Sequence, residues 1–262
     1  MNTQQKFAVT GGTGHLGSHL VDLLESSGHQ VVSISRSNGV DLVSGKGLED
    51  ALAGVDTVVD AATGASPDKD EATEFFLASA HNLLKAGQQA GVRRILGVSI
   101  IGCDRFSGAP GSGGGFGGYY AAKVVQEQAL LNGPIPALIV RAAQFHEFVE
   151  QFLAWGTQGD TASVPAMRTQ LVAARTVAEV LADLAVNPAD PGTAFPEVAG
   201  PRVERLVDVA QLLAARRGGP AKVNEVSTPD DPDRDLLAGD GLLPGPHAKL
   251  AGPSFEEWLT GL

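Results

Sequence analysis

FAVTGGTGHLGSHLVDLLESSG, residues 7–28, runs from an apolar strand through a glycine-rich turn into a helix of regular period. Its glycines Gly11, Gly14 and Gly17 have the spacing GxxGxxG. In such a turn the first glycine permits a tight bend, the second lets the backbone approach a pyrophosphate, and the third lets the helix pack close to the strand. The phosphates then lie at the helix N-terminus. The stretch predicts a dinucleotide-binding turn; the alternative is a glycine turn kept only for packing.

Beyond this stretch, short β-branched runs alternate with segments of helical period. Strands are predicted at KFAVT, QVVSIS, DTVVDAA, RRILGVS and PALIVRA, with helices near residues 15–27 and 71–90. This alternation is typical of βαβ units and of a parallel sheet covered on both faces. The expected fold class is α/β, a doubly wound parallel sheet of Rossmann type with a small appended C-terminal region.

After about Ala142 the pattern is less regular. Further helices are predicted near 146–156, 175–186 and 203–217, and strands at AFPEVAG and AKVNEV. We expect one NAD(P)-binding domain over residues 1–262, with a dinucleotide-binding core at 1–145 and mostly substrate-pocket elements at 146–262. STPDDPDRD predicts an exposed loop, and SFEEWLTGL a short helix with Phe255 and Trp258 facing inward.

Composition argues against several partners. Lys and Arg number 19 against 30 Asp and Glu, and the net charge of −11 would repel nucleic acid and anionic membrane surfaces. No secretory signal pattern or apolar run of roughly 18 residues is present, and the single cysteine, Cys103, cannot form an internal disulfide. We expect a soluble cytoplasmic protein, a monomer or homodimer, with a small-molecule substrate and no metal site.

The end of the second predicted strand, SISRS, bears on the choice of cofactor. Arg36 stands about twenty residues after the last glycine, where an NAD site often has a carboxylate for the ribose hydroxyls. A guanidinium suits a 2′-phosphate, and Ser35 and Ser37 can add hydrogen bonds to it. NADPH/NADP+ is therefore predicted in preference to NADH; the alternative is an exposed arginine at a strand end.

Together these motifs resemble the atypical short-chain dehydrogenase/reductases, and more narrowly their NmrA-like NAD(P)H-binding family. TGGTGHLG is similar to the family's TGxxGxxG, and Val98-Ser99, Tyr119/Lys123 and Arg141 to Phe145 occur in the family's order. The resemblance implies cofactor contacts from the turn, from a residue near the adenine and from a strand end beside the adenine ribose. The residues concerned are Gly11, Thr13, Gly14, His15, Leu16, Gly17, Asp41, Ala61, Ala62 and Thr63.

GGYYAAK, residues 117–123, supplies the candidate proton donor. A carbonyl that accepts a hydride becomes an alkoxide and needs a proton. Tyr119 and Lys123 are four residues apart on one helical face, so the ammonium can stabilise the phenolate and also bind the nicotinamide ribose. Tyr120 is three residues from Lys123, but the YxxxK spacing favours Tyr119. The alternative is an ordinary helix start.

The resemblance implies a third catalytic residue, a hydroxyl that binds the substrate oxygen. Ser99 is present, but the family's hydroxyl usually falls one or two places later, where this chain has Ile100 and Ile101. Because side chains alternate along a strand, a shift of one residue turns the hydroxyl to the other face. Ser99 is then expected to serve the backbone or the cofactor, leaving substrate polarisation to Tyr119 or to a backbone amide.

Gln144, Phe145 and His146 follow the strand PALIVRA, whose carboxyl end should face the ligand crevice. We expect Phe145 to wall the nicotinamide ring, Gln144 to contact substrate, and His146 to be a substrate contact or an alternative acid with an ordinary pKa. The glycine-rich stretch FSGAPGSGGGFGG either closes over substrate, with Phe116 as its apolar contact, or is a tolerated flexible insertion.

The sequence thus predicts an NADPH-dependent oxidoreductase that reduces a small carbonyl, quinone or conjugated substrate. One alternative is an NADP(H)-binding redox sensor without turnover, which Ile100 and Ile101 favour. Another is an enzyme similar to the sugar epimerases that uses the cofactor internally.

Overall fold

The computed structural model describes residues 4–64, 66–109, 112–188 and 195–261. The strands are β1 Lys6–Thr10, β2 Gln30–Ile34, β3 Thr57–Asp60, β4 Arg94–Ile100, β5 Ala137–Ala142, β6 Thr157–Gln158, β7 Thr161–Pro165, β8 Arg168–Thr169, β9 Glu197–Ala199, β10 Glu204–Arg205, β11 Lys222–Val226 and β12 Lys249–Leu250. The α-helices are α1 His15–Ser26, α2 Leu48–Leu52, α3 Lys69–Ala90, α4 Gly117–Leu131, α5 Phe148–Gly156, α6 Ala174–Val186, α7 Leu206–Arg217, α8 Arg234–Ala238 and α9 Phe255–Thr260.

The central sheet has seven strands in the order β12-β9-β5-β4-β3-β1-β2. β1 pairs in parallel with β2 and β3, and β3 pairs in parallel with β4. This mostly parallel sheet, flanked by helices, is the Rossmann-like α/β fold that the sequence predicts. The chain divides into two compact units. The first consists of Met1–Ser99, Ala122–Arg141 and Val177–Pro196. The second consists of Ile100–Ala121, Ala142–Thr176 and Glu197–Leu262.

In the first unit, the strand order reverses at β1. The chain goes from β1 to β2 on one side and then crosses to β3 on the other side of β1. In open α/β sheets, ligands bind outside the carboxyl ends of the strands at such a switch point. The register aligns Thr10 with Ile34 and with Asp60, so the ends of these three strands meet at one edge.

Local sequence explains the helices of the first unit. In α1, Leu16, Leu20 and Leu24 are buried at a spacing of four, which lays one apolar stripe on the sheet. α3 begins at Lys69, two residues before the predicted start, because the side chain of Asp68 accepts hydrogen bonds from the amides of Asp70 and Glu71. A carboxylate there satisfies helix-terminal N–H groups and complements the helix dipole.

The core of the first unit lies between the sheet and its helices. It contains buried side chains from β1, β2, β3, α2, α3, β4 and β5, among them Ala8, Ile34, Val58, Leu52, Leu83, Ile95 and Ile139. Apart from Leu52 of α2, these side chains lie in segments that the sequence predicts as strands or helices. The short helix α2 was not predicted, because five residues are too few to show a helical period.

The second unit contains two small sheets. One has the order β11-β7-β6, with β7 and β11 parallel and β6 and β7 antiparallel, and the other is the antiparallel pair β8 and β10. α5 packs against β7 and α7. α7 begins at Leu206 and not near Val203, because residues 204–205 pair with 168–169 as strand.

The predicted exposed loop STPDDPDRD is partly wrong. Asp231 is buried, and its carboxylate accepts hydrogen bonds from the amides of Gly113 and Asp233. α8 begins within the segment, at Arg234. The predicted tail helix is confirmed as α9, with Phe255 buried, Trp258 half-buried and Ser254 forming a capping box with Glu257.

Across the described ranges, no helix combines the length and the apolar character needed to cross a membrane.

Candidate functional site

The glycine turn after β1 is shaped by close approach of its own backbone. Gly11 has a φ of +64°, and a Cβ there would stand 2.8 Å from the Ala61 carbonyl oxygen at the end of β3. A Cβ on Gly17 would stand 2.1 Å from the Gly11 carbonyl oxygen. A side chain at 17 would push α1 off the turn, and one at 11 would collide with the segment after β3. The packing requirement alone therefore explains two of the three motif glycines.

The N-terminus of α1 fits the phosphates of a dinucleotide. Gly14 is the N-cap and offers no side-chain cap, and the first turn carries no acidic residue. The first N–H groups of a helix lack intrahelical partners, and they attract anions. Thr13, Gly14 and His15 are exposed at this terminus, whereas the Leu16 side chain belongs to the core. Leu16 could therefore contact a cofactor only through its backbone.

The segment after β2 carries the predicted phosphate contacts. Arg36 to Asn38 form a 3₁₀ turn in which Arg36 and Ser37 are exposed. The hydroxyls of Ser35 and Ser37 lie 2.8 Å apart, and the Ser35 hydroxyl also accepts from the Asn38 amide at 3.3 Å. This places two hydroxyls and one guanidinium on consecutive residues of a single exposed turn.

Asp41, predicted near the adenine, is engaged by its own loop. Its carboxylate accepts hydrogen bonds from the Ser44 hydroxyl at 2.8 Å and the Val43 amide at 3.0 Å. The Ser44 hydrogen bond is the largest of the influences that lower the pKa of Asp41, and the Arg36 charge adds a smaller one. Asp41 therefore carries a negative charge near the same turn that presents Arg36.

The segment Ala61, Ala62 and Thr63 follows β3 beside the glycine turn. Gly11 lies against Ala61, and the Ala62 amide donates to the Thr10 hydroxyl at 3.2 Å. Ala61 is half-buried, Ala62 is buried and Thr63 is exposed. The structure thus joins this predicted segment to the predicted turn at the ends of β1 and β3.

Lys123 is buried in the first unit and is 5% exposed. Its ammonium donates to the Val98 carbonyl oxygen at 2.6 Å and to Oε1 of Gln126, and lies 4.6 Å from the centroid of the Phe76 ring. A buried ammonium requires compensation by hydrogen bonds and negative charge. The cation–π contact contributes to that compensation.

A chain of hydrogen bonds leads from Lys123 to the glycine turn. Nε2 of Gln126 donates to Oδ2 of Asp60 at 2.8 Å, and the Thr10 hydroxyl donates to Oδ1 of the same carboxylate. The chain therefore runs from α4 to the ends of β3 and β1, and a buried carboxylate lies one amide away from the ammonium. Lys123, Ala62 and the glycine turn, all predicted as site residues, are connected by it.

Sequence reasoning missed three members of this chain, namely Thr10, Asp60 and Gln126. For two of them the sequence holds a signal. Gln126 is three residues after Lys123 and so shares its helical face, and Asp60 is a charged residue directly after two buried valines in its strand. Their partnership is not local, because Gln126 and Asp60 are 66 residues apart.

The two neighbouring tyrosines differ in burial. Tyr120 is 4% exposed, its ring lies 4.8 Å from that of Phe106, and burial raises the pKa of its phenol. Tyr119 is half-buried, and it lies one turn before Lys123 on α4. A buried phenol of raised pKa is a poor proton donor to a ligand, so Tyr119 remains the better candidate.

The residues near the expected third hydroxyl lie at the end of β4. Ser99 is 3% exposed, Ile100 is half-buried and Ile101 is fully buried. Ser99 and Ile100 alternate in direction because they are consecutive strand residues.

In the second unit, Gln144 and Phe145 are half-buried, but His146 has no exposed surface. Gln144 Oε1 accepts from the Thr169 hydroxyl, while its buried amide nitrogen has no hydrogen-bond partner within the described ranges. A buried donor without a partner is costly, and a ligand can satisfy it. Phe145 forms a backbone bridge to Val172.

The ordinary pKa expected for His146 is wrong. Its ring packs against Phe255 and Trp258, with centroid distances of 5.4 and 5.3 Å, and Nε2 lies 3.1 Å from the Pro253 carbonyl oxygen. Burial lowers the pKa of His146 to about 4, and the Pro253 contact only partly opposes this. His146 is therefore neutral at physiological pH and is enclosed by its own unit.

Part of the glycine-rich stretch before α4 has a defined conformation. Residues 113–115 form a 3₁₀ turn, Ser112 is buried, and the Gly113 amide donates to Asp231 at 3.0 Å. Phe116 is half-buried and immediately precedes α4. Pro110 and Gly111 of the stretch lie outside the described residues.

A switch-point sheet, an uncapped helix N-terminus and a glycine turn together suit a dinucleotide, and the family comparison agrees. The model of the NAD(P)H-binding family matches residues 11–188, more than half of the chain. The chain belongs to the NAD(P)H-binding family. It is an NAD(P)-binding protein of an oxidoreductase family, and the match confirms the NAD(P)H-binding part of the predicted resemblance.

The chain is also similar to several named proteins. Photosystem II assembly factor Ycf39 of Synechocystis sp. is 25% identical over 241 residues, with 83% of this chain and 69% of the relative covered. The solved dTDP-4-dehydrorhamnose reductase of Bacillus anthracis, in complex with NADP, aligns with a TM-score of 0.70 at 16% identity, covering 99% of this chain and 98% of the other. Bordetella bronchiseptica WbmG with NAD and UDP has a TM-score of 0.68 at 20% identity, covering 99% and 93%. At these identities the solved structures support the fold.

Proposed function

We propose that this family member is an NADPH-dependent oxidoreductase that reduces a small carbonyl, quinone or conjugated compound, with Tyr119 as the proton donor. The observation that carries the proposal is the buried chain that fixes Lys123. An ammonium tied through Gln126 and Asp60 to the end of β1 stands at the edge of the sheet where the glycine turn begins. A lysine held there is suited to contact the ribose of a bound dinucleotide.

The chemistry assigns separate tasks to the side chains. A bound NADPH would supply a hydride, which carries two electrons to the carbonyl carbon. Tyr119 gives the phenolic proton to the resulting alkoxide, and the Lys123 charge makes that loss easier by stabilising the phenolate. Ser99, buried at the end of β4, is assigned to the part of the site that binds the cofactor. The side-chain amide of Gln144 is assigned to contacting the substrate.

For the cofactor, we propose NADP(H) in preference to NAD(H). The support is the exposed turn with Ser35, Arg36 and Ser37, since a guanidinium and two hydroxyls match a phosphate monoester. The turn Gly11 to Gly17 would hold the pyrophosphate, and Ala61 to Thr63 and Asp41 would lie on the adenosine side. Residues 1–145 are proposed as the dinucleotide-binding core, and residues 146–262 as mostly substrate-pocket elements.

A second candidate function is dinucleotide binding without turnover, as in a regulator or partner-binding module. Two observations favour it: apolar side chains occupy positions 100 and 101, and the Synechocystis relative is named an assembly factor. A third candidate function is isomerisation with internal use of the cofactor. It is suggested by solved structures of similar fold that contain a nucleotide or a nucleotide sugar beside NAD.

The deciding experiment measures NADPH oxidation against a panel of quinones, aldehydes and ketones for the wild type, Tyr119→Phe and Tyr120→Phe. We expect Tyr119→Phe to lower kcat by about a hundredfold or more, with the Kd for NADPH unchanged, because only proton donation is lost. Tyr120→Phe removes a neighbouring phenol and should keep most of the activity. Tight NADPH binding without oxidation by any panel member, or equal activity in Tyr119→Phe and the wild type, would reject this mechanism.

A further inference from the structure

Four aromatic side chains meet in the second unit, and we call them the aromatic cluster: Phe116, Phe148, Phe152 and Trp155. The Phe116 ring lies 5.3 Å from Phe152 and 5.6 Å from Trp155, and the Phe148 ring lies 5.8 Å from Trp155. The chain has few aromatic residues, 5% of the total, so this concentration is not a consequence of composition.

The aromatic cluster is buried on one side and open on the other. Phe152 is 5% exposed and anchors it in the core, whereas Trp155 is 52% exposed. The Phe116 ring and the Trp155 indole are inclined by 30°, a tilted arrangement with their centroids 5.6 Å apart. The exposed part of the Trp155 indole adjoins the other three rings, so a planar ligand stacked on it would extend an aromatic surface that already exists.

The position of Phe116 relates the cluster to the candidate proton donor. The Tyr120 amide donates to the Phe116 carbonyl oxygen at 2.9 Å, which is the hydrogen bond of a helical turn. Phe116 and Tyr119 are three residues apart in that turn and therefore share a face. The aromatic cluster thus begins one turn from the phenol that the proposed function assigns to proton transfer.

Charge around the cluster argues for an uncharged ligand. Residues 106–122 contain no charged side chain, and the only one in α5 is Glu150, which pairs with Arg217. Four further arginines of the second unit are engaged by carboxylates or by carbonyl oxygens: Arg105, Arg168, Arg202 and Arg205. Lysine and arginine donors strengthen the binding of a nucleoside diphosphate, and the segments that build the cluster contain no lysine or arginine.

We infer that the aromatic cluster is the surface that binds the substrate's ring, and that the substrate is an uncharged planar aromatic or quinonoid carbonyl compound and not a nucleoside diphosphate sugar. The inference rests on the proposed reductase function, whose substrate class it narrows. In the balanced reaction a quinone gains the hydride and one proton to become the hydroquinone, and NADPH becomes NADP+. The cluster supplies ring stacking, and Tyr119 supplies the proton.

Binding can be observed without turnover, because the chain has only two tryptophans, Trp155 and Trp258. The Trp258→Phe variant leaves Trp155 as the single indole reporter. We expect 1,4-naphthoquinone to quench its fluorescence saturably and UDP-glucose to leave it unchanged. Quenching by UDP-glucose, or none by the naphthoquinone, would overturn the inference. A fluorescence change that depends on protein concentration alone would also overturn it, by identifying the cluster as a contact between copies.

Turnover gives a second, independent measurement. Trp155→Ala should raise the KM for 1,4-naphthoquinone about tenfold with little change in kcat, since a lost ring contact of ~1.4 kcal/mol corresponds to that factor. Leu250→Ala is the matched control, because Leu250 is exposed to a similar degree, 54%, in the same unit. An unchanged KM in Trp155→Ala would contradict the inference.

Failure of the inference and failure of the proposed function have different signatures. Saturable quenching of Trp155 without NADPH oxidation would support the ring-binding surface and reject the reductase. NADPH oxidation with a substrate that neither quenches Trp155 nor responds to Trp155→Ala would support the reductase and reject the surface.

Discussion

Gly14 and Gly17 lie in the same turn, but the protein around them constrains them differently. A Cβ on Gly17 would stand 2.1 Å from one backbone oxygen, while a Cβ on Gly14 would meet protein only at 3.3 Å, again at the Gly11 carbonyl oxygen. Gly14 has a φ of −83°, which any residue adopts. Packing therefore requires glycine at 17, whereas at 14 it does not, and there we propose the approach of the cofactor as the reason for glycine.

This contrast gives a paired prediction for alanine substitutions. Gly14→Ala should raise the Kd for NADPH about tenfold, because its methyl group intrudes where the pyrophosphate approaches, and should leave the melting temperature nearly unchanged. Gly17→Ala should lower the free energy of unfolding by about 1–3 kcal/mol, because the helix must shift. Thermal melts and cofactor titration measure the two effects. Equal loss of stability in both variants would remove the ligand argument for Gly14.

Arg36 allows a test of cofactor choice at the same scale. Arg36→Ala should raise the Kd for NADPH by about tenfold or more and leave that for NADH nearly unchanged, since only the 2′-phosphate loses its charge-assisted hydrogen bonds. Arg216→Ala removes the same charge from an exposed position in the second unit and serves as the control. If NADPH and NADH weakened equally in Arg36→Ala, the phosphate assignment would be wrong.

At the scale of elements, a buried ion pair holds α4 to β5. The Arg141 guanidinium donates to both Glu127 oxygens, at 2.9 and 2.7 Å, and stacks 4.4 Å from the centroid of Phe195. Glu127 directly follows Gln126 on α4. The ion pair therefore also fixes the part of the helix from which Lys123 and Gln126 form their hydrogen bonds. Breaking one side of a buried pair leaves a desolvated charge behind.

We therefore expect Glu127→Gln to lower the free energy of unfolding by about 3–5 kcal/mol, as measured by urea denaturation. The control is Arg93→Gln. Arg93 forms an ion pair with Asp56, and the Arg93 side chain is 71% exposed. That substitution should cost less than about 1 kcal/mol, because solvent screens an exposed pair. Similar losses in the two variants would show that the Glu127 pair is weakly coupled to folding.

The elements themselves were largely predictable where their cause is local. β1 and α1 follow from apolar runs and from leucines spaced by four, and both were predicted within a residue or so. The errors occur where a distant partner decides. Residues 204–205 form a strand because residues 168–169 pair with them, and Asp231 is buried because the Gly113 amide needs an acceptor.

At the scale of the whole molecule, His146 couples stability to pH. Its pKa of about 4 in the folded state lies below the ordinary value of 6.5. The unfolded chain therefore binds this proton first as the pH falls. Above pH 6.5 His146 is neutral in both states and takes nothing from the free energy of unfolding. That free energy falls as the pH drops from about 6.5 to 4.

We expect this histidine to account for about 2–3 kcal/mol of the stability lost between pH 7 and pH 4.5. Urea unfolding at the two pH values should show a smaller difference for His146→Gln than for the wild type. His247→Gln, at an exposed position, should behave like the wild type. An unchanged pH difference in His146→Gln would show that the folded protein accommodates the charged imidazole.

The sequence by itself determined the alternation of the main strands and helices up to about Ala142, the glycine turn and the candidate pair Tyr119 and Lys123. Those features depend on period, propensity and backbone freedom, which act within a few neighbouring residues. Only the tertiary structure decided that Tyr120 and His146 are buried, that Gln126 links Lys123 to Asp60, and that Phe116 meets Trp155. Burial and pairing of side chains tens of residues apart are set by packing, and no local pattern in the chain encodes them.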